Sequence, residues 1–228
     1  MTKQERSANK DSGANKHPGG NKQALQDDAP SARGAARELF LLAALWLPMG
    51  FFLWFYLADW LVWPVGQTAS VILTALMPDA IDGLQQVRHS FDVYTLIPAE
   101  RLVEGRVALL TWNVNPMIYG YGVPLLFGLI MATPRLTVLQ RTLQMIFGYA
   151  ILVLVQVWGI CWEILKDMAL KMGPLAARVI SELGLPENLV ALCYQLGYLI
   201  MPAVVPLMLW ILMNRRFLDQ YIARPVGK

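Results

Sequence analysis

Charge is scarce in this chain. Of its 228 residues only 15% are Asp, Glu, Lys or Arg, against 56% hydrophobic. That balance excludes an ordinary water-soluble domain and fits a polytopic membrane protein. Cysteine is scarcer still: the two present, Cys161 and Cys193, lie in apolar runs, away from any C-x-x-C pair or His. Metal and dithiol redox chemistry therefore have little to build on, and both read as small packing residues. Histidine is limited to His17 and His89. The sequence lacks a Gly-rich phosphate loop before Lys-Ser or Lys-Thr, an H-E-x-x-H pattern and carboxylates at metal-ligand spacing, so no metal or cofactor is expected. No nucleic-acid partner is expected either, because the basic residues of the N-terminal segment alternate with acids and lack aromatics.

What the chain has in quantity is apolar runs. Leu39–Val62, Met117–Thr133, Leu143–Leu165 and Leu189–Met213 each approach the ~20 residues a helix needs to cross ~30 Å of hydrocarbon. Lipid leaves no backbone group unpaired without penalty, so each predicts a helix. The first run starts late, is too long for a signal peptide and has no small-residue cleavage site after it, which predicts an uncleaved span. The basic residues nearest the span ends, Arg33 and Arg37, Arg135 and Arg141, Arg215 and Arg216, fall on one side if both termini are cytoplasmic, as the positive-inside rule requires. The expected fold is an all-α transmembrane bundle of four helices, N-in and C-in, with a small outside insertion between spans one and two. Residues 1–36 read as a disordered cytoplasmic tail, 37–215 as the membrane domain and 216–228 as a second cytoplasmic tail.

The insertion, residues 64–116, changes character along its length. Gln67–Met77 has helical spacing and predicts an amphipathic helix at the outer surface. Val87–Ile97 and Val107–Val114 alternate or are β-rich, and Pro98–Arg106 joins them; together they predict an antiparallel hairpin. A lone hairpin is marginal in water, so it must lean on the helix, the membrane or a partner. A further short helix is expected over Leu175–Leu183, ended by Gly184 and Pro186.

Polar residues within apolar runs are the natural functional candidates, because hydrocarbon penalises them. Tyr149, Gln156 and Glu163 recur every seven residues and share a face of span three, while Gln195 lies in the outer part of span four. Gln156 and Gln195 could bond between the two spans or line a solute path; Glu163 could be a hydrated interfacial acid or a substrate contact. Asp59, close to the outer end of span one, is expected to reach water. An enzyme acting on a peptide or lipid-linked tail would have to draw on His89, Glu163 and Cys161.

The start of span two reads Asn115-Pro116-Met117-Ile118-Tyr119-Gly120-Tyr121-Gly122-Val123-Pro124-Leu125. With an N-in first span, a β-rich outside segment and a Pro-rich last span, this motif resembles the exosortase H-associated membrane proteins, and the shared topology covers about residues 37–215. The resemblance implies an inner-membrane protein of a Gram-negative bacterium that accompanies an exosortase, the membrane transpeptidase or protease that processes C-terminal sorting tails. It implies a non-enzymatic accessory role, with the bilayer and a membrane protein as partners, and carries over no catalytic residue. The exosortase's own Cys, Arg and His motifs do not surround Cys161 or Cys193. The residues expected to form the functional surface are Asn113, Asn115, Pro116, Tyr119, Gly120, Tyr121, Gly122, Pro124, Gln156, Glu163 and Gln195.

Overall fold

The computed structural model describes residues 32–103, 106–134, 136–215 and 218; of the expected tails, residues 1–31 and all of 216–228 but Leu218 lie outside these bounds, whereas 32–36, expected to be disordered, form the first turn of a helix. Three helical stretches are long and apolar enough to cross a membrane, Arg37–Tyr56, Val138–Leu170 and Glu187–Met213. The fourth expected span, Met117–Ala132, is apolar but shorter. At 1.5 Å per residue it reaches only ~24 Å, less than the hydrocarbon thickness, and it is broken besides: α3 (Met117–Gly120) and α4 (Gly122–Ala132) are separated at Tyr121.

The first apolar run also divides differently from the expectation. Helix α1 (Ala32–Tyr56) ends before Leu57, and Ala58–Val62 opens α2 (Ala58–Leu76), which continues through Pro64. Pro64 lies in the second turn of α2, and its carbonyl accepts from the Thr68 hydroxyl at 2.8 Å. The expected surface helix is thus the second half of α2. Its face of Val62, Val65, Ala69 and Leu73 is buried in the main core.

The hairpin becomes a three-stranded antiparallel sheet in the order β1-β2-β3, comprising β1 (Ile81–Val87), β2 (Ser90–Val103) and β3 (Arg106–Val114). The single strand expected over Val87–Ile97 is split by a two-residue turn at Arg88-His89, where Arg88 takes φ 56° and Val87 pairs with Ser90. Left-handed φ at a non-glycine residue is uncommon, and no Gly, Asn or Asp marks the position, so the turn had no local signal. The sheet leans on α2. Phe91, fully buried, lies where any side chain at Gly66 would collide with its ring, and the Leu84 amide donates to Ser70 Oγ at 3.2 Å.

The mast of the molecule is α5 (Val138–Leu170), 33 residues long and therefore ~50 Å, well beyond the hydrocarbon thickness. A capping box starts it: Thr137 Oγ1 accepts from the Gln140 amide while Gln140 Oε1 accepts from the Thr137 amide. Its C-terminal half carries Val157, Ile160, Ile164 and Met168 into the same core as α2, the sheet and α6 (Pro174–Glu182). Helix α6 matches the short helix expected there. Pro174 stands at its start, and Gly173 and Gly184 take positive φ on either side of it, a conformation that costs glycine little. The last stretch is α7 (Glu187–Gln195), a π-helical turn Leu196–Ile200, and α8 (Met201–Met213).

The chain therefore has two ends. At the sheet end, α2, β1–β3, α6 and the top of α5 share one core. At the far end α4, α5 and α8 meet around Leu126, Ile130, Leu152, Leu209 and Trp210. There Trp210 Nε1 donates to Thr133 Oγ1 at 2.9 Å, and the Gln144 amide nitrogen donates to Asn214 Oδ1 at 3.2 Å.

Candidate functional site

The Asn-Pro-x-x-Tyr-Gly-Tyr-Gly motif is the joint between the sheet and the helices. β3 ends at Val114, and Asn115 Oδ1 accepts from the Met117 amide at 3.0 Å, an Asx turn that leads into the short α3. Pro116 is buried at its start. The glycines are contact points. A methyl group at Gly120 would meet Gln156 Oε1 at 3.0 Å and the Trp54 ring at 3.2 Å, and one at Gly122 would lie 2.7 Å from the Pro202 carbonyl. α4 is thereby drawn against α1 on one side and α5 and α8 on others, as small residues allow where lipid supplies no hydrophobic drive. Tyr121 is half-buried at the break, and Pro124 is buried, its carbonyl facing Gly50.

Tyr119 is the motif residue that carries a polar contact into the core. It is 1% exposed, its ring fills the hollow over Gly159, and its hydroxyl donates to Glu163 Oε2 at 3.0 Å. The Tyr198 ring meets it edge-on at 6.3 Å, and Tyr194 stacks on Tyr198 at 5.8 Å. Lys166 Nζ stands 4.0 Å from the centre of the Tyr194 ring and 3.0 Å from Asp167 Oδ1. Lys171 Nζ reaches the same oxygen at 2.8 Å, and this bond to Asp167 raises the Lys171 ammonium above the ordinary lysine range. The π-helical turn carries Gly197 against Trp158 and Gly159, bringing Tyr198 to the cluster; such turns mark places where a helix departs from regularity to present a side chain.

Glu163 of α5, Tyr119 of α3, Lys166 and Asp167 near the top of α5, and the two tyrosines of the last stretch thus form one polar–aromatic belt. It lies where α5 passes from the helices into the sheet-end core. Chemically the belt neutralises acids: Glu163 is hydrogen-bonded and Asp167 is flanked by two ammonium groups. Sequence reading named Tyr119 and Glu163, the latter close to Lys166 and Asp167, but did not bring Tyr194 and Tyr198 to them. The Asp167–Lys171 spacing of four was a usable signal for an ion pair; the tyrosines, from a distant helix, gave none.

The remaining named residues are scattered. Asn113 is exposed on β3 and donates through Nδ2 to Asp92 Oδ1 at 2.8 Å and Ser90 Oγ at 3.1 Å. Gln156 is buried and donates to the Leu152 carbonyl of its own helix, whereas Gln195 is exposed at the end of α7. An apolar cleft of about 250 Å³ lies where Gly50, Trp54 and Leu61 face Phe127 and Tyr149, and neither glutamine lines it. Tyr149 donates to the Leu61 carbonyl at 2.8 Å. His89 sits on the β1–β2 turn, its Nδ1 3.8 Å from Asp59 Oδ1, while Cys161 packs against the main core. Among the described residues no group of three or more His, Cys, Asp and Glu could hold a metal ion.

The family model of the exosortase H-associated membrane protein matches residues 33–217. The chain belongs to that family. The match takes in the belt, the sheet and every helical stretch from α1 to α8, so the family's shared unit is the whole fold and not the motif alone. No curated protein and no solved structure matches the chain.

Proposed function

We propose that this family member is a non-enzymatic accessory subunit of an exosortase, seated in the bacterial inner membrane with α3 and α4 as a short fourth crossing beside the three long ones, both termini cytoplasmic and the sheet on the outer side. The observation that carries the reading is the family match over residues 33–217, since the family is named for association with that enzyme. Two physical features support it. α5 is long enough to hold the sheet clear of the hydrocarbon, where a partner working on exported proteins would meet it. The polar groups of the belt are engaged with one another (Tyr119 with Glu163, Asp167 with Lys166 and Lys171), an arrangement that stabilises a platform.

The basic residues at the far end, Arg141 and Arg215 among them, orient the chain by the positive-inside rule. Co-expression of the full-length chain with an exosortase, followed by affinity purification in mild detergent, tests the association: the enzyme is expected in the eluate, and its absence overturns the reading. A membrane-impermeant maleimide applied to intact spheroplasts tests the orientation. Asp82→Cys is expected to label, and a fluorescent-protein fusion after Lys228 is expected to glow; the reverse pattern inverts the topology.

A further inference from the structure

The sheet has two edges, and they are treated differently. β1's edge lies under α2, which closes it with the Ser70 hydroxyl on the Leu84 amide. β3 pairs with β2 on one side, and among the described residues no backbone hydrogen bond reaches its other side. Every second residue of such a strand turns its N–H and C=O outward. Folded proteins protect open edges with charges, prolines or bulges. β3 has no proline, its one charged residue is Arg106 at its start, and the extra residues at the register shifts of the β2–β3 ladder lie in β2.

The side chains of the strand leave room for a neighbour. Leu110 is only partly covered by the main core, while Leu109 is 54% exposed on the opposite face of the strand. A strand laid along β3 would run ~4.8 Å away and would cover both with the side chains of its own two faces.

We propose that β3 takes an extended segment of a partner polypeptide as a fourth strand of the sheet. The occupant is a peptide backbone, because an alternating row of donors and acceptors is matched by another strand and not by lipid. Its chemistry is an uncharged stretch with apolar side chains at alternate positions. This mode of contact rests on the accessory reading above and specifies where and how the partner is held.

Residue-resolved hydrogen exchange on the full-length chain in nanodiscs, alone and co-purified with the exosortase, tests it. Alternate amides of residues 107–114 are expected to slow by roughly tenfold or more in the complex. A complex that forms with these amides unchanged overturns the fourth strand and leaves the accessory reading standing; a chain that captures no enzyme overturns both. As a second measure, Leu109→Lys with Thr111→Lys guards the edge at exposed positions and is expected to cut the captured enzyme by roughly tenfold. Gln85→Lys, exposed on β1, is expected to leave capture unchanged, with both variants melting as the parent does. Undiminished capture by the guarded edge overturns the inference.

Discussion

In the proposed topology the sheet end and the far end solve the same packing problem in different solvents. At the sheet end a broad core fills with large side chains, among them Phe91, Leu73, Ile160, Ile164 and Met168, all fully buried. At the far end the core is a small cluster around Leu126 and Trp210, and the helices approach through glycines and polar contacts such as Trp210 with Thr133, Gln144 with Asn214 and Arg141 with the Thr133 carbonyl. Water drives apolar burial, whereas helices already in lipid gain nothing by hiding leucine from it and rely on close fit and hydrogen bonds. The spans reflect this: 6% of the α1 window is buried against 44% for α5, which runs through both regions.

The largest effect that can test this contrast is a pair of truncations. Phe91→Ala at the sheet end is expected to cost about 3–5 kcal/mol, from lost burial and the cavity left behind. Leu126→Ala at the far end should cost less than about 2 kcal/mol, since only the packing loss remains in lipid. Equal costs by steric trapping in bicelles would erase the distinction.

A glycine pair sharpens it. Gly159→Ala places a methyl 2.3 Å from the Tyr119 ring, which its bond to Glu163 holds in place, whereas Gly148→Ala meets only the Leu126 methyl end at 2.3 Å. The first should destabilise by about 1–3 kcal/mol; the second should be close to neutral because the leucine tip can turn aside. Thermal melts in detergent separate the two.

Smaller again is Tyr119→Phe, which leaves Glu163 without its donor and is expected to cost about 1 kcal/mol; Glu163→Gln, still able to accept the bond, should cost less. The smallest effect is a pH dependence at the top of α5. Asp167 raises Lys171 above the ordinary lysine range, so this ion pair stabilises fully below that range and fades as pH climbs through the raised value. Lys171→Ala should flatten that alkaline limb of the melting curve.

How much was legible follows the same division. The apolar runs located α5 and the last stretch, and Gly184 with Pro186 located the end of α6. The break at Leu57 escaped, because no Gly or Pro marks it and α2 is held by its contacts with α5 and the sheet. The third strand escaped because Arg88 adopts a turn conformation that its residue type does not announce. At the belt, the motif pointed to Tyr119 and the heptad spacing to Glu163. Their hydrogen bond, and the stack of Tyr194 and Tyr198 beside it, join residues from three separate helical stretches.

By itself the sequence determined the solvent: long apolar runs must enter lipid, since neither water nor a small core could accommodate them, and membership of the family follows from the same residues. Which runs are broken, which edge of the sheet stays open and which polar groups meet were decided only by the tertiary structure. Those outcomes depend on contacts between segments far apart in the chain, where local preference is weak and close approach determines which arrangement persists.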